Sequence, residues 1–233
     1  MSVVSYEVHY WPVHARGDVT RMVLEASGKP YKNVFINPKD WPAMKKQQRF
    51  GHCPWLVIHY ADGTSKTLWE EVAILTYLAD TLGFFPPPAD GAEPALAKAE
   101  CLAVFTSWLE LADKFATAMG LPDFEERQKR VKKLQTETLP AHVAFHERLI
   151  GESVGPFYFG DKPTIADFMA VSSYSRMEEL FGDEFSKPFP NLVKLVNNTC
   201  ALPAIHEYFA KRRDFGVLKF DREQLKVIPV VKA

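Results

Sequence analysis

Phe50-Gly51-His52-Cys53-Pro54-Trp55-Leu56-Val57-Ile58-His59-Tyr60-Ala61-Asp62-Gly63-Thr64 is the stretch whose reading decides the fold. It runs from a loop, through an X-Pro step, into an apolar strand, and ends in an Asp-Gly turn. Only before proline is a cis peptide cheap, so Pro54 has two readings: a cis-proline that shapes a loop, or an ordinary strand-start proline. Asp62-Gly63 between the apolar run at 55–60 and Lys66-Thr67-Leu68 is a strong hairpin signal.

Outward from this hairpin the pattern alternates. Val4, Tyr6, Val8 and Tyr10 recur at period two, as in a half-buried strand, whereas Val19, Met22, Val23 and Ala26 recur at helical spacing before Gly28. Tyr31 to Ile36 predicts a second strand. A strand, helix and strand in succession imply a parallel crossover. Glu70 to Leu82 returns to helical spacing and ends at Gly83. The order β-α-β, β-hairpin, α is that of a thioredoxin-like sheet.

Past Phe84 the composition changes. Pro86-Pro87-Pro88 predicts a stiff, extended linker over 85–94. Strand signals then almost vanish. Ala95 to Met119 and Asp123 to Leu149 carry long helical patterns, and Pro140 should kink or break the second. Further helices fit Ile165 to Phe181, Leu192 to Asn198 and Ala204 to Arg213. Thr164 with Asp167 predicts a capping box ahead of the first of these. The fold class expected is an α/β thioredoxin-like N-terminal domain (1–84) followed by an all-α C-terminal domain (95–233). The tail after Phe215 has no clear pattern beyond a β-like stretch at Val227 to Val231.

Bulk properties exclude several classes. The 233 residues are 47% hydrophobic, which allows a real core. With 28 Lys+Arg against 29 Asp+Glu the formal charge is -1, so nucleic acid is a poor partner. No apolar run approaches the roughly 20 residues of a membrane span, and Met1 to Tyr10 lacks the pattern of a secretion signal. Cys53, Cys101 and Cys200 are odd in number and widely spaced, with no metal-type spacing, which suggests a reduced, cytoplasmic protein without a metal site.

Several segments together resemble the cytosolic glutathione transferases. Lys39-Asp40-Trp41-Pro42-Ala43-Met44-Lys45 is similar to the Trp-Pro-x-x-Lys segment of the sigma class, with kinship to the mu class. Tyr6-Glu7-Val8-His9-Tyr10-Trp11 resembles the first strand of tyrosine-type members, and Arg16 to Arg21 matches their Arg-x-x-x-x-Arg helix start. Gly160 to Phe168, Pro190-Asn191-Leu192 and Pro203-Ala204-Ile205 extend the resemblance over about residues 4 to 213.

The resemblance implies glutathione as co-substrate, no further cofactor, a small hydrophobic electrophile and a homodimer. It implies that Tyr10, assisted by Arg16, stabilises the glutathione thiolate. An ordinary thiol, with a pKa of about 8.5, is mostly protonated at neutral pH, and a donated hydrogen bond favours the anion. Trp41 and Lys45 would hold the glycyl carboxylate. The backbone of Cys53, before Pro54, would hold the cysteinyl part, and the helix start at Glu70-Glu71 the γ-glutamyl end. Trp11, Val13, His14, Phe105, Trp108 and also Phe215 are candidates to line an apolar electrophile pocket. For His14, Phe105, Trp108 and Phe215, simple core packing, or surface packing for the histidine, is an equal expectation.

The chain departs from the family in three places. Glu71 stands where the family has serine, which puts a carboxylate where the substrate's carboxylate is expected. Thr106, with Glu100 and Glu110 on either side, lies near the place of an acidic residue that members reach in from the partner subunit. Cys53 replaces an apolar residue, and a small apolar filler is the favoured reading over a redox thiol. A non-catalytic relative, serving as a structural protein or ligand carrier, is the rival expectation.

Overall fold

The structure is a computed structural model and describes residues 2–88, 93–212, 218–221 and 225–229. Contacts divide the chain into two compact units. The first comprises residues up to Phe84 together with the segment from Leu202, and the second comprises Phe85–Ala201 with the segment from Leu218.

In the first unit, β1 (Val3–Tyr10), α1 (Ala15–Ser27) and β2 (Tyr31–Phe35) form the crossover. α2 (Trp41–Gln47) follows, then β3 (Trp55–Tyr60), β4 (Ser65–Trp69) and α3 (Glu71–Leu82). The sheet order is β2-β1-β3-β4, with β1 parallel to β2 and antiparallel to β3, and β3 antiparallel to β4. This is the thioredoxin-like arrangement expected from the sequence. Alternation along β1 buries Tyr6, Val8 and Tyr10 on one face. Met22, Val23 and Leu24 of α1 and Ile74, Leu75 and Leu78 of α3 are fully buried in the same unit. The hairpin closes where the Asp-Gly signal lies. Gly63 takes φ 82, a conformation that favours glycine, and the Asp62 carboxylate accepts from the Thr64 N–H at 2.9 Å.

The second unit is helical. α4 (Pro94–Met119) and α5 (Phe124–Lys133) are followed by a π-helical stretch at Leu134–Thr138, then α6 (Leu139–Glu152) and α7 (Ile165–Phe181). A single 3-10 turn (Asp183–Ser186) leads to α8 (Pro190–Cys200). Pro140 stands in the first turn of α6. The wide π turn immediately before it absorbs the missing donor, so the predicted break is a change of helical pitch. The capping box at the start of α7 is complete: the Thr164 N–H donates to Asp167 Oδ2 at 2.7 Å, and Asp167 Oδ1 also accepts the Tyr158 N–H at 3.0 Å.

Two features differ from the sequence reading. The helix near the C-terminus, α9 (Pro203–Arg212), groups with the first unit and not with the helical one. In the tail, β5 (Leu218–Asp221) and β6 (Lys226–Pro229) form an antiparallel pair. The β-like stretch at Val227 falls in β6, while Phe215, Val230 and Val231 lie outside the described residues.

The physical reason for the grouping of α9 is a buried charged cluster. Asp18 of α1, with no exposed surface, accepts hydrogen bonds from the Tyr208 hydroxyl and from Arg212 Nη1, the latter at 2.7 Å. Burial pushes the Asp18 carboxyl up, but Arg212, His14 and the Tyr208 hydroxyl outweigh it and hold the group at about 2. A helical pattern shows that Tyr208 and Arg212 share a face, but not which body that face meets.

Candidate active site in the first unit

The cleft begins with Arg21. Its guanidinium is fully buried and donates to Asn33 Oδ1 at 2.8 Å, to the Val13 carbonyl at 2.8 Å and to the Trp11 carbonyl at 3.3 Å. The loop after β1 is therefore fixed by a side chain two turns into α1. That loop presents Trp11, whose ring meets Trp41 of α2 edge to face at 5.2 Å. On the opposite flank, the Trp69 indole N–H donates to Gln48 Oε1 at 3.3 Å and ties the end of α2 to β4.

The loop after α2 carries Gly51, His52 and Cys53, and the Cys53–Pro54 peptide is cis. Between β4 and α3 the backbone turns sharply at Glu70, a non-glycine residue at φ 69. The Glu70 side chain stays exposed, with Oε1 at 3.4 Å from His52 Nδ1. The Glu71 side chain turns inward, with 2% of its surface exposed.

These segments enclose a cleft of about 500 Å³ lined by Trp11, Arg16, Trp41, Lys45, Gly51, His52, Cys53, Pro54, Glu70 and Glu71. Eight of these are sequence candidates: Trp11, Arg16, Trp41, Lys45, Cys53, Pro54, Glu70 and Glu71. Gly51 and His52 complete the lining. Lys45 supplies a cation from α2, and Glu70 an anion from the start of α3. In the cleft wall Arg16 Nη1 donates to Glu71 Oε2 at 2.9 Å. Glu71 is therefore a carboxylate paired with a guanidinium.

The Cys53 thiol lies within hydrogen-bonding reach of the Trp11 indole. Burial raises it to about 11 against the opposing pull of Trp11 and Arg16. It is protonated at neutral pH, in keeping with a filler and not a nucleophile.

Tyr10 is 6% exposed and is not among the described residues lining the cleft. Its ring lies against Gly17 at the start of α1: a Cβ on Gly17 would stand 2.5 Å from Tyr10 Cδ1. Gly17→Ala is accordingly expected to displace the ring and lower stability by about 1–3 kcal/mol, the usual cost of overpacking, measured by urea unfolding. Val13 is half-buried and spends its carbonyl on Arg21. His14 is driven down to about 4, mainly by burial, with Asp18 opposing and Arg212 and Arg21 assisting, so it is neutral at physiological pH.

Phe105 and Trp108 require a correction. Both are fully buried in the core of the helical unit and cannot line an open electrophile pocket. Trp108 donates its indole N–H to the Tyr158 hydroxyl at 2.9 Å and stacks on His146 with centroids 4.2 Å apart. The Tyr158 hydroxyl meets His146 Nδ1 at 2.9 Å, and Ser107 Oγ meets His146 Nε2 at 3.1 Å. His146 is held at about 3 by burial and by His142, so this network is neutral and joins α4 to α6. Thr106 is exposed, with its hydroxyl on the Leu102 carbonyl at 2.7 Å.

Two family models match the chain: "Glutathione S-transferase, N-terminal domain" over residues 5–80 and "Glutathione S-transferase, C-terminal domain" over residues 110–212. The chain belongs to the glutathione S-transferase family. A glutathione S-transferase of Anopheles gambiae is 28% identical over 207 residues, covering 89% of this chain and 96% of that relative. Glutathione S-transferase 1 of Ascaris suum is 24% identical over 210 residues, with coverage of 89% and 96%. Among solved structures, a sigma class glutathione S-transferase of Fasciola hepatica superposes with a TM-score of 0.77 at 19% identity, covering 89% of this chain and 96% of that one. A rat hPGDS complexed with a quinoline gives 0.76 at 24% identity, with coverage of 89% and 97%. These likenesses bear on the fold. Within the glutathione S-transferase family, the cleft described above belongs to the N-terminal domain.

Proposed function

We propose that this glutathione S-transferase binds glutathione in the cleft of its first unit and conjugates the thiolate to small hydrophobic electrophiles. One observation carries the reading: Trp41, Lys45, the Cys53–Pro54 step and Glu70, from four separate segments, converge on one cleft whose lining includes both a cation and a carboxylate. A zwitterionic tripeptide matches that polarity. Lys45 and the Trp41 indole take the glycyl carboxylate, the Cys53 backbone takes the cysteinyl amide, and Glu70 takes the γ-glutamyl ammonium. The N–H groups at the start of α3 take the remaining carboxylate.

The resemblance, and not the lining of the cleft, gives the thiolate-stabilising role to the hydroxyl of Tyr10 at the end of β1; the thiolate attacks the electrophilic carbon. A C–S bond forms while the leaving group departs with its electron pair; in an addition the π bond breaks instead, its electron pair moves to the adjacent atom, and that atom takes a proton from water. The Trp-Pro-x-x-Lys segment supports a sigma-like class, and the resemblance supports a cytoplasmic homodimer.

The reading is tested with Lys45→Ala. Losing one exposed charge-assisted contact should raise the KM for glutathione about tenfold with kcat little changed, in an assay with chlorodinitrobenzene. An unchanged KM would remove Lys45 from the site. The rival ligand-carrier reading draws on the occupation of Arg16 by Glu71. It predicts no turnover by the wild type in the same assay.

A further inference from the structure

We propose that the helical unit carries a ligand site of its own, a cleft between α4 and the α5–π stretch that takes an apolar molecule bearing one anionic group.

This cleft holds about 510 Å³ and is lined by α4, the loop after it, α5 and the π-helical stretch at Leu134–Thr138. Small-molecule pockets have volumes of roughly 300–1,000 Å³. Ala118 and Leu134, both buried, and half-buried Leu121 give the cleft an apolar floor. The floor is held in shape from behind. Arg127 donates from Nε and Nη2 to the Leu121 carbonyl at 2.8 and 2.6 Å, which fixes the loop between α4 and α5. The π stretch is a second, independent feature. The Leu139 N–H bonds to the Leu134 carbonyl five residues back, so the helix is widened here. The first and last residues of the widened stretch, Leu134 and Thr138, both line the cleft. Single π turns in helices are frequent at functional sites.

The charges in the lining decide the ligand. Lys114, Arg130 and Lys133 are cations, and Glu110 and Asp113 are carboxylates. Most of these charges are spent. Lys114 pairs with Glu110 at 2.7 Å, Arg130 pairs with Glu126 at 3.0 Å, and Asp113 is engaged as well. The Lys133 ammonium has no partner among the described residues, and neither do the Thr117 and Thr138 hydroxyls. One ammonium and two hydroxyls above an apolar floor match a carboxylate or sulfonate carried on a ring system or a chain. A neutral molecule would use the floor alone and leave Lys133 unused.

The test uses the full chain carrying Thr117→Cys, at an exposed position in the cleft wall. Alkylation of the introduced thiol by iodoacetamide is timed by mass spectrometry, with Cys200, half-buried in the same unit, as the internal control. The probe is 8-anilinonaphthalene-1-sulfonate, and N-phenyl-1-naphthylamine is its neutral counterpart. At a concentration that saturates its fluorescence on the protein, the sulfonate should slow alkylation at position 117 about fivefold or more, and the neutral compound about twofold at most. Adding Lys133→Gln, also at an exposed position, should raise the half-protecting concentration of the sulfonate about threefold or more and leave the neutral compound's effect unchanged.

A fluorescence that does not saturate, or no protection at position 117, overturns the proposal. Equal protection by the two compounds, or a half-protecting concentration unmoved by Lys133→Gln, overturns it too, because the cleft would then be an apolar surface without anion recognition. An equal slowing at Cys200 also overturns it, because the probe would then be acting on the whole unit.

Discussion

Asp18→Asn is expected to destabilise the protein by about 3 kcal/mol or more, the cost of leaving a buried charge without its partner. Asp18 is fully buried, and its two carboxylate oxygens take the Tyr208 hydroxyl and the Arg212 guanidinium from α9. Asparagine preserves the shape but leaves Arg212, only 7% exposed, facing a neutral amide. Tyr208→Phe removes one hydrogen bond and should cost about 1 kcal/mol. Urea unfolding measures both.

The pH dependence has a definite sign. The folded carboxyl titrates at about 2, below its ordinary value of 3.8. Its contribution is therefore full above about pH 4 and is lost as pH falls toward 2. The stability gap between wild type and Asp18→Asn should close over that window. A gap that stays constant down to pH 2 would mean that the charge on Asp18 is not what the variant removes.

Tyr10→Phe is expected to lower kcat for glutathione conjugation by about 10- to 100-fold. A hydrogen bond to an anion contributes about 1.5–3 kcal/mol, and the loss converts directly to rate if the thiolate is the nucleophile. The Tyr10 ring fills the space above Gly17, where even a methyl group would come within 2.5 Å. Phenylalanine keeps that packing, so the variant reports on the hydroxyl. The thiolate absorbance of bound glutathione should move to higher pH in the variant, because the donor to sulfur is gone. A variant with wild-type kcat and an unmoved thiolate midpoint would shift the catalytic role away from Tyr10.

The parts of this molecule that were legible in the sequence are those governed by local chemistry. Asp62-Gly63 fixed the hairpin because a tight turn needs a residue tolerant of positive φ, and Gly63 adopts φ 82. Period two in β1 and period three to four in α1 separated strand from helix, and the Thr164–Asp167 box forms as its spacing requires. Pro140 announced an irregularity, though not that a π turn would accommodate it.

What escaped is tertiary. Arg16 and Glu71 are 55 positions apart, and no periodicity shows that the second pairs with the first. Arg21 was only one end of a motif, yet it shapes the cleft by holding the Trp11 and Val13 carbonyls. Phe105 and Trp108 look alike in sequence whether they face a ligand or a core. Trp108 packs against His146 and Tyr158, which arrive some forty to fifty residues later. The tie between α9 and α1 runs through Asp18, a buried acid nearly 200 positions away from Arg212 in the chain.

Calorimetric titration of glutathione into the wild-type chain asks whether the cleft lined by Arg16, Trp41, Lys45 and Glu70 is a glutathione site. Saturable binding of one glutathione per chain, weakened in Lys45→Ala, is the expected result. An absence of binding heat at any temperature tried, together with no protection of Cys53 from alkylation by added glutathione, would contradict it.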